Sequence, residues 1–170
     1  LPLDSMPRDF WEILFPMPFL EELRSYAAQH DLDPFLVAAL IRQESEFNPR
    51  ARSRAGAVGL MQIMPATGRL LARKIGVSSF STDKLYNPDL SLRLGTLHLR
   101  GVLDQFQNRL ELTLAAYNAG EHRVEKWLTW DTFEDPATFV ETIPFTETRE
   151  YVQGVLRNMI IYRLLYDAGA

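Results

Sequence analysis

Glu44 stands at the end of the segment PFLVAALIRQES, residues 34–45, which is apolar on almost every face. Such a pattern is typical of a buried helix. A carboxyl group at the C-terminal end of a buried helix faces the negative end of the helix dipole, and burial disfavours its ionised form further. Both effects raise the pKa of Glu44 above a reference of about 4.3, as a general acid requires. The plain alternative, a polar residue where a helix meets water, is the commoner case for a single glutamate.

Other carboxylates are poorly placed to assist Glu44. Glu46 is two residues further on, so it points to a different side of the helix. A local pair of cooperating carboxylates, the usual arrangement in enzymes that cleave glycosidic bonds, is therefore disfavoured. Glu147 falls in the first turn of the last predicted helix, where the helix dipole stabilises its charge, and Glu141 is predicted in an exposed loop.

Two further segments carry polar side chains that could line a cleft. Tyr117 and Asn118 lie where an apolar helix ends, and buried hydroxyl and amide groups seek hydrogen-bond partners. A helix-end cap with a core tyrosine explains them equally well. Gln62 lies between Met61 and Met64, where it could cap loop backbone while the methionines fill core gaps.

Composition and motifs exclude several classes of function. The chain has 170 residues, which suits one domain, and a net charge of −4 gives no sign of a nucleic-acid partner. It lacks cysteine, and His30, His98 and His122 are isolated, so no metal or other cofactor is expected. No phosphate-binding loop, nucleophile elbow or transmembrane segment is present.

Charge is nevertheless uneven along the chain. Residues 40–74 hold seven basic and two acidic side chains, a net charge of +5. A solvated basic face is the ordinary explanation. The functional alternative is a local attraction for an anionic polymer near Glu44.

Proline and glycine divide the chain into helices. Aspartate or asparagine followed by proline predicts a helix start, because the side chain caps a backbone N–H and proline has none to lose. These pairs are Asp33-Pro34, Asn87-Pro88 and Asp135-Pro136. Thr146 is a predicted cap of the last helix. The segment 50–65, with Gly56 and Gly59, predicts a small hairpin or irregular loop. Three further glycines inside helical patterns predict close helix packing; they are Gly95, Gly101 and Gly154.

The predicted fold class is mostly α, with about seven or more helices and at most a small β-hairpin or sheet. Residues 1–18 are rich in proline and aromatic side chains and predict a lead-in segment packed on the domain, which comprises residues 19–170. The chain begins at Leu1 and shows no signal-peptide pattern, so we expect a fragment of a longer protein.

Three blocks in this order, IRQESEFNPRARSRAGAVGLMQIMPATG, AAYNAGEHRVEKWL and FVETIPFTETREYVQGVL, resemble the catalytic domain of the bacterial soluble lytic transglycosylases. The resemblance covers roughly residues 14–170. It implies an α+β lysozyme-like fold of the goose type, with helices around a glycan cleft. It also implies cleavage of the β-1,4 bond between N-acetylmuramic acid (MurNAc) and N-acetylglucosamine (GlcNAc) in peptidoglycan, in the periplasm or cell envelope, by a monomer.

The resemblance also implies roles for individual residues. Glu44 matches the family's catalytic acid, and Tyr117 matches a tyrosine close to that acid, to which it would hydrogen-bond. The remaining matches are substrate-binding residues of the cleft: Ser53, Gln62, Met64, Asn118 and Glu141. Glu147 competes with Glu141 for the last of these roles. Two alternatives stay open, a hydrolytic lysozyme on the same fold and a non-catalytic module that binds peptidoglycan.

Overall fold

The computed structural model describes residues 5–167, and nine α-helices lie within them. Their bounds are α1 Arg8–Leu14, α2 Leu20–Gln29, α3 Pro34–Ser45, α4 Pro65–Lys74, α5 Pro88–Gln105, α6 Leu110–Ala119, α7 Glu121–Leu128, α8 Pro136–Thr142 and α9 Thr146–Tyr166. A 3₁₀ turn, Thr82–Tyr86, precedes α5. The loop between α3 and α4 contains two isolated β-bridges. The predicted mostly α class is confirmed.

Helix starts follow the predicted capping rule. The side chains of Asp33, Asn87 and Asp135 each accept a hydrogen bond from a backbone N–H in the first turn of the helix that follows. The prediction for Thr146 is wrong, because Thr146 is the first residue of α9 and Phe145 occupies the cap position without a side-chain bond.

Helix α3 runs through the core. Its residues from Val37 to Ile41 have no exposed surface, and its principal packing partner is α9. A helix buried on all sides has a fixed axis and rotation, since sliding it would open voids in a closely packed interior. Side chains at its C-terminal end are therefore held in defined positions.

The predicted lead-in segment packs against α9 over its described part, while residues 1–4 lie outside the described residues. It contains α1, a helix that proline spacing did not predict. Trp11 and Phe15 are buried, and the Tyr162 hydroxyl donates to the carbonyl of Pro16 at 2.7 Å. The guanidinium of Arg42 lies 3.9 Å from the centre of the Phe15 ring. The division at residue 18 stays a prediction.

Glycines let two pairs of segments approach closely. A Cβ on Gly95 would lie 2.2 Å from the sulfur of Met61, and one on Gly154 would lie 2.6 Å from the Gln43 side-chain oxygen. Close packing is confirmed at both positions. The prediction of close packing is wrong for Gly101, where a Cβ would meet nothing within 4 Å.

Candidate active site

Glu44 is the penultimate residue of α3 and opens onto a cavity of about 460 Å³. The helix ends one residue later, at Ser45, because Glu46 adopts a left-handed conformation with φ of 51°. Protein surrounds most of the Glu44 carboxyl group, and this burial raises its pKa from 4.5 to about 7. The Tyr151 hydroxyl opposes the shift and the Glu147 carboxylate adds to it. Glu44 can therefore be protonated near neutral pH.

Tyr151, on α9, is the residue that sequence reasoning missed. Its hydroxyl is buried next to Glu44 and influences the pKa of that carboxyl, yet the two groups do not align as a regular hydrogen bond. Among residues 5–167 it is the one buried side-chain polar atom without a hydrogen-bond partner. Burial and the Glu44 charge together raise the pKa of Tyr151 well above its ordinary value. The Tyr151 hydroxyl therefore keeps its proton and can act as a hydrogen-bond donor beside the carboxyl group.

Most of the predicted site residues meet at this cavity. It is lined by one aromatic ring, polar side chains, charged groups and small or apolar residues: Glu44, Ser53, Arg54, Ala55, Ala57, Gln62, Met64, Tyr117, Asn118 and Glu147. Glu141 is not among them, since it lies exposed on α8. Its predicted role stays a prediction, and Glu147 is the acidic residue of that block that reaches the cavity.

The loop 58–63, which contributes Gln62 to the lining of the cavity, is held in place by three side chains. Ser45 donates to the carbonyl of Leu60 at 2.8 Å, and the Ser91 oxygen accepts from the Met61 N–H at 3.3 Å. The Tyr117 hydroxyl donates to the Met61 carbonyl at 2.7 Å. The prediction that Tyr117 hydrogen-bonds to Glu44 is therefore wrong, because the single O–H of the tyrosine donates to the loop instead. Tyr117 fixes the wall of the cavity.

In both Gln62 and Asn118, one side-chain polar atom bonds within the protein and the other is left for a ligand. The Gln62 amide nitrogen donates to the carbonyls of Gly59, at 2.8 Å, and Ala51, at 3.1 Å. The Asn118 side-chain oxygen accepts from the Thr148 hydroxyl at 2.8 Å, which joins the end of α6 to α9. What remains for a ligand is the Gln62 side-chain oxygen and the Asn118 amide N–H groups.

Ser53 begins a β-turn at the rim of the cavity. The Gly56 N–H donates to the Ser53 carbonyl, and the Ala57 N–H donates to the Ser53 side-chain oxygen, both at 3.0 Å. The Ser53 N–H closes the turn by donating to the Ala57 carbonyl. The hydroxyl proton of Ser53 is still available to a ligand.

Neither a metal site nor a membrane span is found in the described part of the chain. Residues 5–167 contain no group of three or more histidine, aspartate or glutamate side chains arranged to hold a metal ion. None of their helices combines the length and apolar character that a membrane span needs.

Comparison with known proteins assigns the chain to a family. Residues 22–140 match the family described as the Transglycosylase SLT domain, and residues 142–169 match the soluble lytic transglycosylase helical domain. The chain therefore belongs to the soluble lytic transglycosylase family, as the sequence blocks predicted.

Individual relatives are similar to this chain over nearly its whole length. It is 38% identical over 157 residues to the soluble lytic murein transglycosylase of Escherichia coli strain K12, covering 91% of this chain and 24% of that protein. The crystal structure of an inactive mutant of lytic transglycosylase Slt from Pseudomonas aeruginosa superposes with a TM-score of 0.87 at 42% identity, covering 92% of this chain and 26% of that one.

The 70 kDa soluble lytic transglycosylase of Escherichia coli superposes with a TM-score of 0.86 at 37% identity, over the same shares of the two chains. The chain spans about a quarter of the length of these relatives.

Proposed function

We propose that this protein is a peptidoglycan lytic transglycosylase that cleaves the MurNAc-β-1,4-GlcNAc bond with Glu44 as its one acid and base. Its products are glycan ends closed as 1,6-anhydromuramic acid. The substrate is the glycan strand of the bacterial cell envelope, and the protein acts there as a monomer without a cofactor. The murein named in its relatives is the same polymer.

The observation that carries this proposal is the burial of the Glu44 carboxyl group at the point where it opens onto the cavity. A pKa of about 7 leaves a large fraction of the carboxyl group protonated at neutral pH, and the group opens onto a cavity. General acid catalysis is most effective when the pKa lies near the working pH. A protonated Glu44 can donate its proton to the glycosidic oxygen as the bond to that oxygen breaks.

The second half of the reaction returns the proton. The muramic C1 develops positive charge as the leaving GlcNAc hydroxyl departs, and the neighbouring N-acetyl carbonyl can stabilise that charge, as in substrate-assisted glycosidases. Glu44, now ionised, takes the proton of the muramic C6 hydroxyl, and the C6 oxygen closes on C1. Glu44 is then protonated again, and no water enters the products.

Side chains around Glu44 can orient the sugars of the substrate. The Ser53 hydroxyl, the Gln62 oxygen and the Asn118 amide can hydrogen-bond the N-acetyl groups and hydroxyls of the sugars, while Met64 offers an apolar surface to a ring face. Tyr151 is a positioning residue, since its neutral hydroxyl can donate to Glu44 once the carboxyl becomes ionised. Such a bond would stabilise the carboxylate in the middle of the reaction.

A relative supports the role of a glutamate. The Pseudomonas aeruginosa structure is that of an inactive mutant in which one glutamate is replaced by glutamine. Loss of activity on this change is what a mechanism with an essential carboxyl group requires, because glutamine cannot donate a proton to the leaving oxygen.

Purified cell-wall sacculi test the proposal. The wild type should clear a sacculus suspension, and Glu44→Gln should lose about 10²- to 10⁴-fold in rate. Glu46→Gln is the matched control, because Glu46 is exposed at the helix end and should leave the rate unchanged. Near-native clearing by Glu44→Gln would contradict the assignment of the acid. A wild type that sediments with sacculi and clears nothing would instead be a binding module.

Glu147 favours one second candidate, a hydrolase on the same fold. Sequence reasoning found no partner carboxylate near Glu44, but Glu147 lines the same cavity and acts on the pKa of Glu44. In a two-carboxylate mechanism Glu147 would activate water or form a covalent intermediate. A hydrolase requires Glu147→Gln to be as inactive as Glu44→Gln, whereas a lone acid predicts a much smaller loss.

A further inference from the structure

Helix α4 presents an exposed face that combines positive charge with a large apolar side chain. The exposed residues of this face include Arg69, Leu70, Arg73 and Lys74. Leu70 lies three residues before Arg73 and four before Lys74, so the three side chains are neighbours on the helix surface. Its exposed fraction is 65%. None of these side chains lines the cavity around Glu44, and the chemistry described above does not use them.

The charges of this face are not neutralised by neighbouring groups. In the part of the chain that the structure describes, the side chains of Arg69, Arg73 and Lys74 form no ion pair and no hydrogen bond. Residues 65–82 hold these three basic side chains and no acidic one. Because the whole chain has a net charge of −4, an anionic partner would be attracted to this face in particular, which favours one orientation of approach.

The two arginines also share a second cavity, of about 290 Å³, with the loop that follows α4. It is lined by Arg69, Arg73, Val77, Ser79 and Phe80. The Phe80 ring packs directly on the helix, since a Cβ on Gly68 would lie 2.9 Å from the ζ carbon of that ring. Two guanidinium groups and a hydroxyl can donate hydrogen bonds to one phosphate, while Val77 and Phe80 offer an apolar surface to the group that carries it.

The exposed leucine distinguishes between classes of anionic partner. A soluble polyanion, such as an acidic polysaccharide, would use the charges of this face but not Leu70. A membrane surface with anionic phospholipids would use both, because its headgroups attract basic side chains and its acyl region accepts apolar ones. The apolar walls of the second cavity favour the same partner, since a lipid phosphate is joined to a hydrocarbon-bearing group.

We propose that the exposed face of α4 binds a membrane surface that contains anionic phospholipids. A lipid phosphate lies between Arg69 and Arg73, Lys74 adds attraction, and Leu70 enters the acyl region. The contact leaves the cavity around Glu44 open, because none of these side chains lines it. Membrane binding therefore determines where the protein works and takes no part in bond cleavage.

Sedimentation with lipid vesicles tests the proposal. At low salt the wild type should sediment with vesicles made of equal parts of phosphatidylglycerol and phosphatidylcholine, and should stay in solution with phosphatidylcholine alone. Added salt should release it. Arg69→Gln and Arg73→Gln should each lower the partition coefficient about fivefold. Leu70→Ser should lower it about tenfold.

The long helix α9 offers matched controls. Arg157 and Ile160 are exposed and lie one turn apart, and Ile160 has an exposed fraction of 58%, close to that of Leu70. Arg157→Gln and Ile160→Ser should bind vesicles as the wild type does. Equal losses in these variants would overturn the proposal, as would a wild type that ignores the anionic vesicles. If Leu70→Ser binds as tightly as the wild type, the partner is a soluble polyanion and the proposal is wrong.

A fluorescent label gives a readout that does not depend on a loss of binding. The chain has no cysteine, so Leu70→Cys and Ile160→Cys can each be labelled at one position with a fluorophore sensitive to polarity. Emission from position 70 should shift to the blue on anionic vesicles, and emission from position 160 should stay unchanged. The reverse pattern, or no shift at position 70, would contradict the proposed contact. All variants should clear sacculi at the wild-type rate, which shows that they are folded.

Discussion

The carboxyl group of Glu44 at the end of α3 lies beside the buried hydroxyl of Tyr151 on α9, and these two helices form the principal contact of the core. Burial of the pair and the pKa of the acid therefore depend on the same helix packing. The hydroxyl lowers a pKa that burial has raised, so the two groups together determine the pH range in which Glu44 is protonated.

Replacing Tyr151 with phenylalanine should raise the pKa of Glu44, because the one interaction that lowers it is lost. As pH rises, activity should fall when Glu44 loses its proton, near pH 7 in the wild type and at a higher pH in Tyr151→Phe. The pH profile of muropeptide release measures this alkaline limb. Thermal stability should stay equal or rise, since the lost hydroxyl has no regular hydrogen-bond partner. An alkaline limb of the activity profile that moves to lower pH in Tyr151→Phe would contradict the placement of Tyr151.

The matched change at Tyr117 should act through the fold. Tyr117→Phe removes the 2.7 Å bond to the Met61 carbonyl and leaves that buried oxygen unpaired. We expect the free energy of unfolding to fall by about 1–2 kcal/mol, measured by urea denaturation. The alkaline limb of the activity profile should keep its position. If Tyr117→Phe moves that limb and leaves stability unchanged, the two tyrosines have been assigned the wrong way round.

Glu44 should make the folded state less stable at alkaline pH. Its pKa is about 7 when folded and about 4.5 when unfolded, so the folded state binds the extra proton between these values and loses stability as pH rises through them. Glu44→Gln removes this penalty. The variant should match the wild type near pH 4 and exceed it above pH 8, by up to roughly 3 kcal/mol. Equal stability of the two proteins at pH 8.5, measured by urea denaturation, would show that the carboxyl group is not buried as described.

Two glycines of α5 should respond in opposite directions to alanine. Gly95→Ala places a Cβ against the fully buried Met61 side chain, and overpacking should destabilise the protein by about 1–3 kcal/mol and displace the loop 58–63. Gly101→Ala meets open space in a helix interior and should stabilise the protein by about 0.5–1 kcal/mol. Thermal denaturation of both variants measures this difference, and a shift of the same sign in both would contradict the described packing of α5.

Local signals in the sequence were sufficient for much of the helical framework. The cap side chains of Asp33, Asn87 and Asp135 act within one turn, so they can be recognised without tertiary structure. Helix α1 was not predicted because its neighbouring prolines gave no capping signal. Its helical form accompanies packing on α9, through Trp11 and Phe15, and such contacts are distant in sequence.

The candidate site was predictable as a set of residues but not as a set of contacts. Glu44, Ser53, Gln62, Tyr117 and Asn118 were named from the blocks that carry the family resemblance, and they line one cavity. Tyr151 lies in a regular helical pattern where a tyrosine is most simply a core residue, so only the packing of α9 on α3 reveals its place. The choice between Glu141 and Glu147 likewise depends on how α8 and α9 are oriented, which periodicity does not specify.

The mass of the muropeptides released from purified sacculi tests the central claim, that Glu44 alone acts first as acid and then as base. The account predicts that wild-type products are lighter by one water than reducing-end muropeptides, with a closed 1,6-anhydro ring. It also predicts that Glu147→Gln releases the same anhydro products and that Glu44→Gln releases none. Products of the wild type with the full mass of a reducing end would contradict the account and identify a hydrolase.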